Sequence, residues 1–152
     1  MFGKKFKKEP TEKQKIGQIG EDEACKYLEK NGYKIIDRNY LKKWGEIDIV
    51  ATKEKQPLKA SGGRMTKIHF VEVKSVSRFL DANVTRETSR DFYRPEDNMH
   101  PWKLQRLSRV IQSYLLDKDI PDDIDWQFDV ATVYLDMNKG LSRVLLLEDI
   151  VL

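Results

Sequence analysis

The chain has 152 residues, 39% hydrophobic and 35% charged, which is the size and balance of one globular domain with a modest core and a heavily charged surface. No apolar run is long enough to cross a bilayer, and Lys4, Lys5, Lys7 and Lys8 lead into further charged residues rather than a signal-peptide core, so a cytoplasmic protein is expected. A single cysteine, Cys25, excludes an internal disulfide and a cysteine-based zinc site, and a net charge of +3 permits an anionic partner without demanding one.

Residues 1 to 10 combine many lysines with no apolar periodicity and read as a mobile basic arm ahead of one domain spanning 11 to 152. Thr11 followed by Gln14 matches a capping box, which places a helix from Glu12 to about Lys30, where Asn31 and Gly32 supply a stop. Tyr33 to Asn39 and Glu46 to Thr52 are rich in isoleucine and valine and read as two strands around a turn at Gly45. Residues 53 to 66 are polar, contain Pro57, Gly62 and Gly63, and read as a hairpin loop leading into a third strand, Lys67 to Lys74. From Ser75 to Met99 the periodicity disappears, as expected of a functional flap or a short hidden helix. Pro101 suits a helix start, and Leu107, Val110, Ile111, Tyr114 and Leu115 keep helical spacing beyond it. Trp126 to Asp136 and Ser142 to Leu147 flank the turn residues Asn138, Lys139 and Gly140, so the order of elements is α-β-β-β-α-β-β.

The stretch Phe70-Val71-Glu72-Val73-Lys74 carries the most chemical information. Strand side chains alternate, so Glu72 and Lys74 share a face, roughly 6.6 Å apart along the strand, while Val71 and Val73 point into a core. In the preceding strand the same rule puts Ile47 and Ile49 on one face and Glu46 and Asp48 on the other. An ionised acid among β-branched apolar residues is costly to bury unless a metal ion or a lysine pairs with it. If the two strands form a hairpin, Asp48 and Glu72 converge with Lys74 beside them. Two carboxylates suit Mg²⁺, which keeps several waters and accepts a phosphate oxygen; Mn²⁺ is the alternative. Such a centre can hydrolyse a phosphodiester, with Lys74, protonated at an ordinary pKa of about 10.4, placed for electrostatic and orienting work. The competing reading is an ion pair of Glu72 and Lys74 on a solvated sheet face.

Glu21 follows Gly17 and precedes Ala24 and Leu28 on one helical stripe, so it borders the packed face of the first helix. Gly17 and Gly20 each cost about 1 kcal/mol in a helix interior, which points to a close approach by another element. Lys103 lies in the first turn of the second helix, where a cation opposes the helix dipole and a phosphate or carboxylate would relieve it. Cys25 reads as a small packed hydrophobe, His69 faces away from Glu72, and His100 lies in a loop, so neither histidine is a persuasive metal ligand. Trp44, Trp102 and Trp126 could stack on bases, but packing is the simpler expectation. Lys7 and Lys8 in the arm, with Arg78, Arg86, Arg90 and Arg94 in the long loop, are candidate phosphate contacts.

The runs Ile16 to Ala24, Gly32-Tyr33 through Asn39, Gly45 to Asp48 and Phe70 to Lys74 resemble the YraN, or UPF0102, family of predicted endonucleases. That family is similar to archaeal Holliday junction resolvases within the PD-(D/E)xK restriction-endonuclease-like superfamily. The resemblance implies an α/β fold with a restriction-endonuclease-like core, a central mixed β-sheet flanked by helices. It also implies that Glu21 is the helix-borne acid of the site, Asp48 the metal-binding aspartate, and Glu72 and Lys74 the ExK pair. Lys103 matches a lysine the family carries at the start of its second helix. The chain departs from the pattern in two longer loops, 53 to 67 and 75 to 99, in Gln127 where an arginine commonly precedes Phe-Asp, and in Ser75 after Lys74. The expected function is Mg²⁺-dependent endonucleolytic cleavage of DNA, with branched or otherwise structured DNA a candidate substrate. By analogy with resolvases such a substrate favours a homodimer. The alternatives are a non-catalytic nucleic-acid-binding module and a protein-interaction domain on a nuclease scaffold.

Overall fold

Thr11 begins the first helix as its side chain predicts. Its hydroxyl accepts from the Gln14 N–H at 3.2 Å, and the Gln14 side chain accepts from the Thr11 N–H at 2.9 Å. In this computed structural model, which describes residues 8–54, 66–77 and 100–152, the helix is α1, Glu12–Lys30. It ends where Gly32 turns the chain at φ +87°, a conformation that favours glycine, and lets the Tyr33 N–H donate back to the Leu28 carbonyl at 3.0 Å. The strands are β1 (Lys34–Lys42), β2 (Gly45–Glu54), β3 (Thr66–Ser77), β4 (Trp126–Asp136) and β5 (Leu141–Leu147). The second helix, α2, is Pro101–Asp117, so the element order is the expected one and the fold is α/β.

The strands form one sheet in the order β1-β2-β3-β4-β5, antiparallel throughout except between β3 and β4. A parallel pair needs a crossover, and α2 lies within it. Side-chain alternation divides the core in two. Ile49, Ala51, Val71, Ala131 and Val133 pack against Ala24, Cys25 and Leu28 of α1. Val50, Phe70, Phe128 and Val130 pack against Leu107, Val110, Ile111 and Tyr114 of α2. The helices therefore cover opposite faces, and β4, lying between β3 and the edge strand β5, is buried along nearly its whole length.

Several boundaries differ from the apolar pattern. β1 runs on to Lys42, while Lys53, Glu54, Thr66 and Ser75 to Ser77 belong to strands rather than loops. Ladder hydrogen bonds join backbones and do not require apolar side chains, so pairing continues past the last hydrophobic residue. Ile47 and Ile49 do not share a face: Ile47 joins the cluster under α2 and Ile49 the cluster under α1. Alternation breaks between them, beside Asn39 of β1 with its φ of +53°. Trp44 and Trp126 pack into the α2 cluster, whereas Trp102 is 57% exposed, contrary to the packing expected of it. It sits in the first turn of α2, off the row of Leu107, Val110, Ile111 and Tyr114 that packs on the sheet. Arg78, Arg86, Arg90, Arg94, Lys7 and the central parts of both long loops lie outside the described residues; Lys8 is exposed. No helix among the described residues is long and apolar enough to cross a membrane.

Candidate active site

The ladder between β2 and β3 ends at Ile49 opposite Val71. In that register the next pair is Asp48 and Glu72. There the two strands part, and the Asp48 side chain substitutes for the missing strand, with its Oδ2 accepting from the Val73 N–H at 2.8 Å. Asp48 thus lies in the fork of the sheet, close to the plane between its faces, and is half-buried. Burial pushes its carboxyl up to about 7, the Val73 N–H opposes the shift, and the charges of Glu72, Glu21 and Glu46 add to it. The site residue expected to hold a cation is therefore one whose surroundings resist its negative charge.

Glu21 reaches the fork from α1. That helix approaches β3 so closely that a Cβ at Gly20 would lie 1.8 Å from Ser75 Oγ, so Gly20 is required for the fit; Gly17 has open space beside it and is not. Close approach explains one of the two helix glycines. Glu21 is held by Arg38 of β1, whose guanidinium lies 3.8 Å from it and 2.9 Å from Asp22. Burial raises the Glu21 pKa and Arg38 opposes it. Arg38 has no distinguishing signal in the sequence, since β1 also holds Lys34, Asp37, Asn39 and Lys42.

Glu72 and Lys74 follow Phe70 on alternate positions and so begin on the α2 side, as their spacing predicts. Lys74 Nζ stands 2.8 Å from Glu72 Oε1, and Lys103 Nζ of α2 stands 3.1 Å from the same oxygen. Burial and the neighbouring Lys74 lower the Lys103 pKa, while Glu72 pulls it back up. A groove of about 730 Å³ between the first half of α1 and the end of β3 is lined by Glu21, Asp48, Lys74 and Ser75, among others. Glu72 closes the other side of the fork. The structure thus brings Glu21, Asp48, Glu72, Lys74 and Lys103 together from α1, β2, β3 and α2. Arg78 and Lys7 lie outside the described residues, and Lys8, four residues before the start of α1, is exposed.

The donor set consists of hard carboxylate oxygens, and two of them, Glu72 Oε2 and Glu21 Oε1, are buried without a hydrogen-bond partner. Buried carboxylate oxygens are otherwise almost always satisfied, so these atoms, beside Asp48, are of the kind that could hold a hard cation such as Mg²⁺ or Mn²⁺. A second carboxylate group behaves differently. Ligand atoms of His69, Asp129 and Glu148 lie within 4.8 Å of one another. Yet Asp129 accepts from Gln127 Nε2 at 2.7 Å and the Asp149 N–H at 2.9 Å and pairs with His69 Nδ1 at 2.8 Å, while Tyr33 donates to Glu148. This is a closed hydrogen-bond network in which Gln127 satisfies the buried aspartate.

Comparison with known proteins shows the family of the chain. The model of the family described as "Uncharacterised protein family UPF0102" matches residues 20–133, which include Glu21, Asp48, Glu72, Lys74 and Lys103. A UPF0102 protein of Flavobacterium johnsoniae is 34% identical over 126 residues, covering 82% of this chain and 85% of its own. One from Alkaliphilus metalliredigens is 35% identical over 129 residues, covering 85% and 93%. One from Campylobacter jejuni is 32% identical over 128 residues, covering 84% and 91%. On both the family match and the extent of these similarities, the chain belongs to the UPF0102 family.

Proposed function

We propose that this protein is a divalent-metal-dependent endonuclease that hydrolyses phosphodiester bonds in DNA. The observation that carries the reading is the convergence of three carboxylates on the fork between β2 and β3, two with buried oxygens lacking a hydrogen-bond partner and the third with its pKa raised to about 7. Left alone, such a cluster costs stability, and proteins retain that kind of cost at sites that hold a cation and do chemistry. When bound, a divalent ion supplies the positive charge that makes a water nucleophilic near neutral pH and stabilises charge on the reacting phosphate.

The chain's own residues have separate tasks. Asp48 and Glu72 hold the ion. The Val73 N–H fixes the Asp48 carboxylate so that one oxygen remains directed into the fork. Lys74, anchored on Glu72, places its ammonium where an attacking water and a scissile phosphate meet at the groove, and Lys103 neutralises the remaining charge of Glu72 from α2. Glu21 positions water on the α1 side.

Cleavage of a panel of linear, flapped and four-way DNA, with and without Mg²⁺, tests the proposal and its extension to branched substrates and a dimeric enzyme. Asp48→Asn should reduce turnover at least about a hundredfold, roughly 2.7 kcal/mol of transition-state stabilisation. Lys74→Ala should also abolish turnover without weakening Mg²⁺ binding, because it takes a cation away from Glu72 Oε1. Cleavage by Asp48→Asn at the parental rate would remove this residue from the mechanism. A second reading, a nucleic-acid-binding module without turnover, draws support from the two lysines that already neutralise Glu72 Oε1. It requires salt-sensitive DNA binding and no Mg²⁺-dependent cleavage of any substrate in the panel.

A further inference from the structure

The solvent-facing side of α2 carries a pattern that the carboxylate site does not use. Trp102, Arg106, Arg109 and Ser113 are spaced four, three and four residues apart and so form one stripe along the helix, beside the buried row Leu107, Val110 and Tyr114. The Arg106 guanidinium lies 5.4 Å from the Trp102 ring centre, and Arg109 lies 4.8 Å from that of Trp44, whose indole N–H donates to Ser113 Oγ at 3.0 Å. The result is a pair of guanidiniums flanked by two indoles along one side of the helix.

We propose that this stripe binds an unpaired nucleic-acid strand, with Trp102 stacking on a base and Arg106 and Arg109 contacting phosphates, and leads it to the carboxylate fork. The proposal rests on the endonuclease reading only for its last clause. From Pro101 to Leu116 the helix contains Lys103, Arg106 and Arg109 and no acid; the first, Asp117, is taken by Lys42 at 2.8 Å. Lys43, in the turn between β1 and β2 that packs on α2, is also exposed and extends the basic surface.

Charge alone would suit any polyanion; Trp102 narrows the partner. Its indole is 57% exposed, with the His100 ring parallel to it within 6° at 6.4 Å, so an aromatic stack already begins there. A base can extend such a stack only if it is out of a duplex, where its faces are occupied. Continuity with the site comes from the adjacent residue: Lys103, next to Trp102, bonds Glu72. A strand lying along the stripe therefore arrives at the β3 side of the fork.

The test is anisotropy binding of a fluorescein-labelled oligothymidylate of about 20 nucleotides and of a blunt duplex of similar length, in EDTA, by the full chain. Trp102→Ala should weaken binding to the single strand about tenfold and to the duplex less than about twofold, and Trp102→Phe should restore most of the loss. Arg106→Gln with Arg109→Gln should lower the salt slope for the single strand by about 1.4, about 0.7 per phosphate contact. Circular dichroism of Trp102→Ala should match the parent, since the side chain supports little packing. Equal losses on both probes, unchanged single-strand affinity in Trp102→Ala, or no single-strand binding by the parent would each overturn the proposal. Trp102-dependent binding without cleavage of any substrate would keep the stripe and reject the endonuclease reading. Cleavage with Trp102-independent binding would do the reverse.

Discussion

Replacing Asp48 by asparagine should make the metal-free protein more stable near neutral pH. The carboxyl titrates at an ordinary 3.8 when unhindered and at about 7 in the fold, chiefly because burial and the neighbouring acids disfavour its charge. A folded pKa above the unfolded one means that the native state binds the proton more tightly. This contribution to stability is complete below about pH 4 and is lost as pH rises through about 7. A difference of about three pKa units corresponds to about 4 kcal/mol at most, and relaxation and water at the open groove reduce the realisable share to about 2 kcal/mol. Asparagine has no charge to ionise and keeps an oxygen to accept from the Val73 N–H. Urea unfolding in EDTA should therefore show Asp48→Asn ahead of the parent by about 2 kcal/mol near pH 8 and level with it near pH 4. Millimolar Mg²⁺ should stabilise the parent and not the variant, closing or reversing the gap, because only the parent gains from ligation. A variant that is no more stable than the parent near pH 8, or is ahead equally at both pH values, would refute the account of Asp48 as a strained, cation-seeking carboxylate.

Three further outcomes follow from particular contacts. Gly20→Ala drives a Cβ to 1.8 Å from Ser75 Oγ and should cost about 1 to 3 kcal/mol in urea unfolding, most of it recovered in a double variant with Ser75→Gly. Lys103→Gln removes one of two cations on Glu72 Oε1, so the Mg²⁺ concentration needed for half-maximal thermal stabilisation should fall several-fold, whereas DNA affinity without metal should weaken. Asp129→Ala leaves Gln127, His69 and the Asp149 N–H without their shared acceptor in the core and should destabilise the fold by about 3 kcal/mol or more; a change below about 1 kcal/mol would mean the network is dispensable.

Local chemistry made much of this protein legible from its residues. The reciprocal Thr11–Gln14 cap, the Gly32 stop and the 3.6-residue rhythm of α2 depend on neighbours in the chain, and each element lies where those signals put it. The shared placement of Glu72 and Lys74 needed only the two-residue period of a strand. Expectations failed where distant backbones decided the outcome. Ile47 and Ile49 part company because β2 leaves β3 at Asp48, and that fork depends on where the ladder ends, which side-chain types do not encode. The strands overran their apolar runs because hydrogen bonding follows the partner strand. Arg38 and the exposure of Trp102 were hidden because burial belongs to the assembled surface: β1 had to lie beside α1, and α2 had to turn its apolar row onto the sheet, before either residue had an environment. The sequence alone thus determined which residue types could do chemistry and on which elements they sit. Only the tertiary structure decided which of them meet, because convergence of α1, β2, β3 and α2 on one fork is a property of long-range packing.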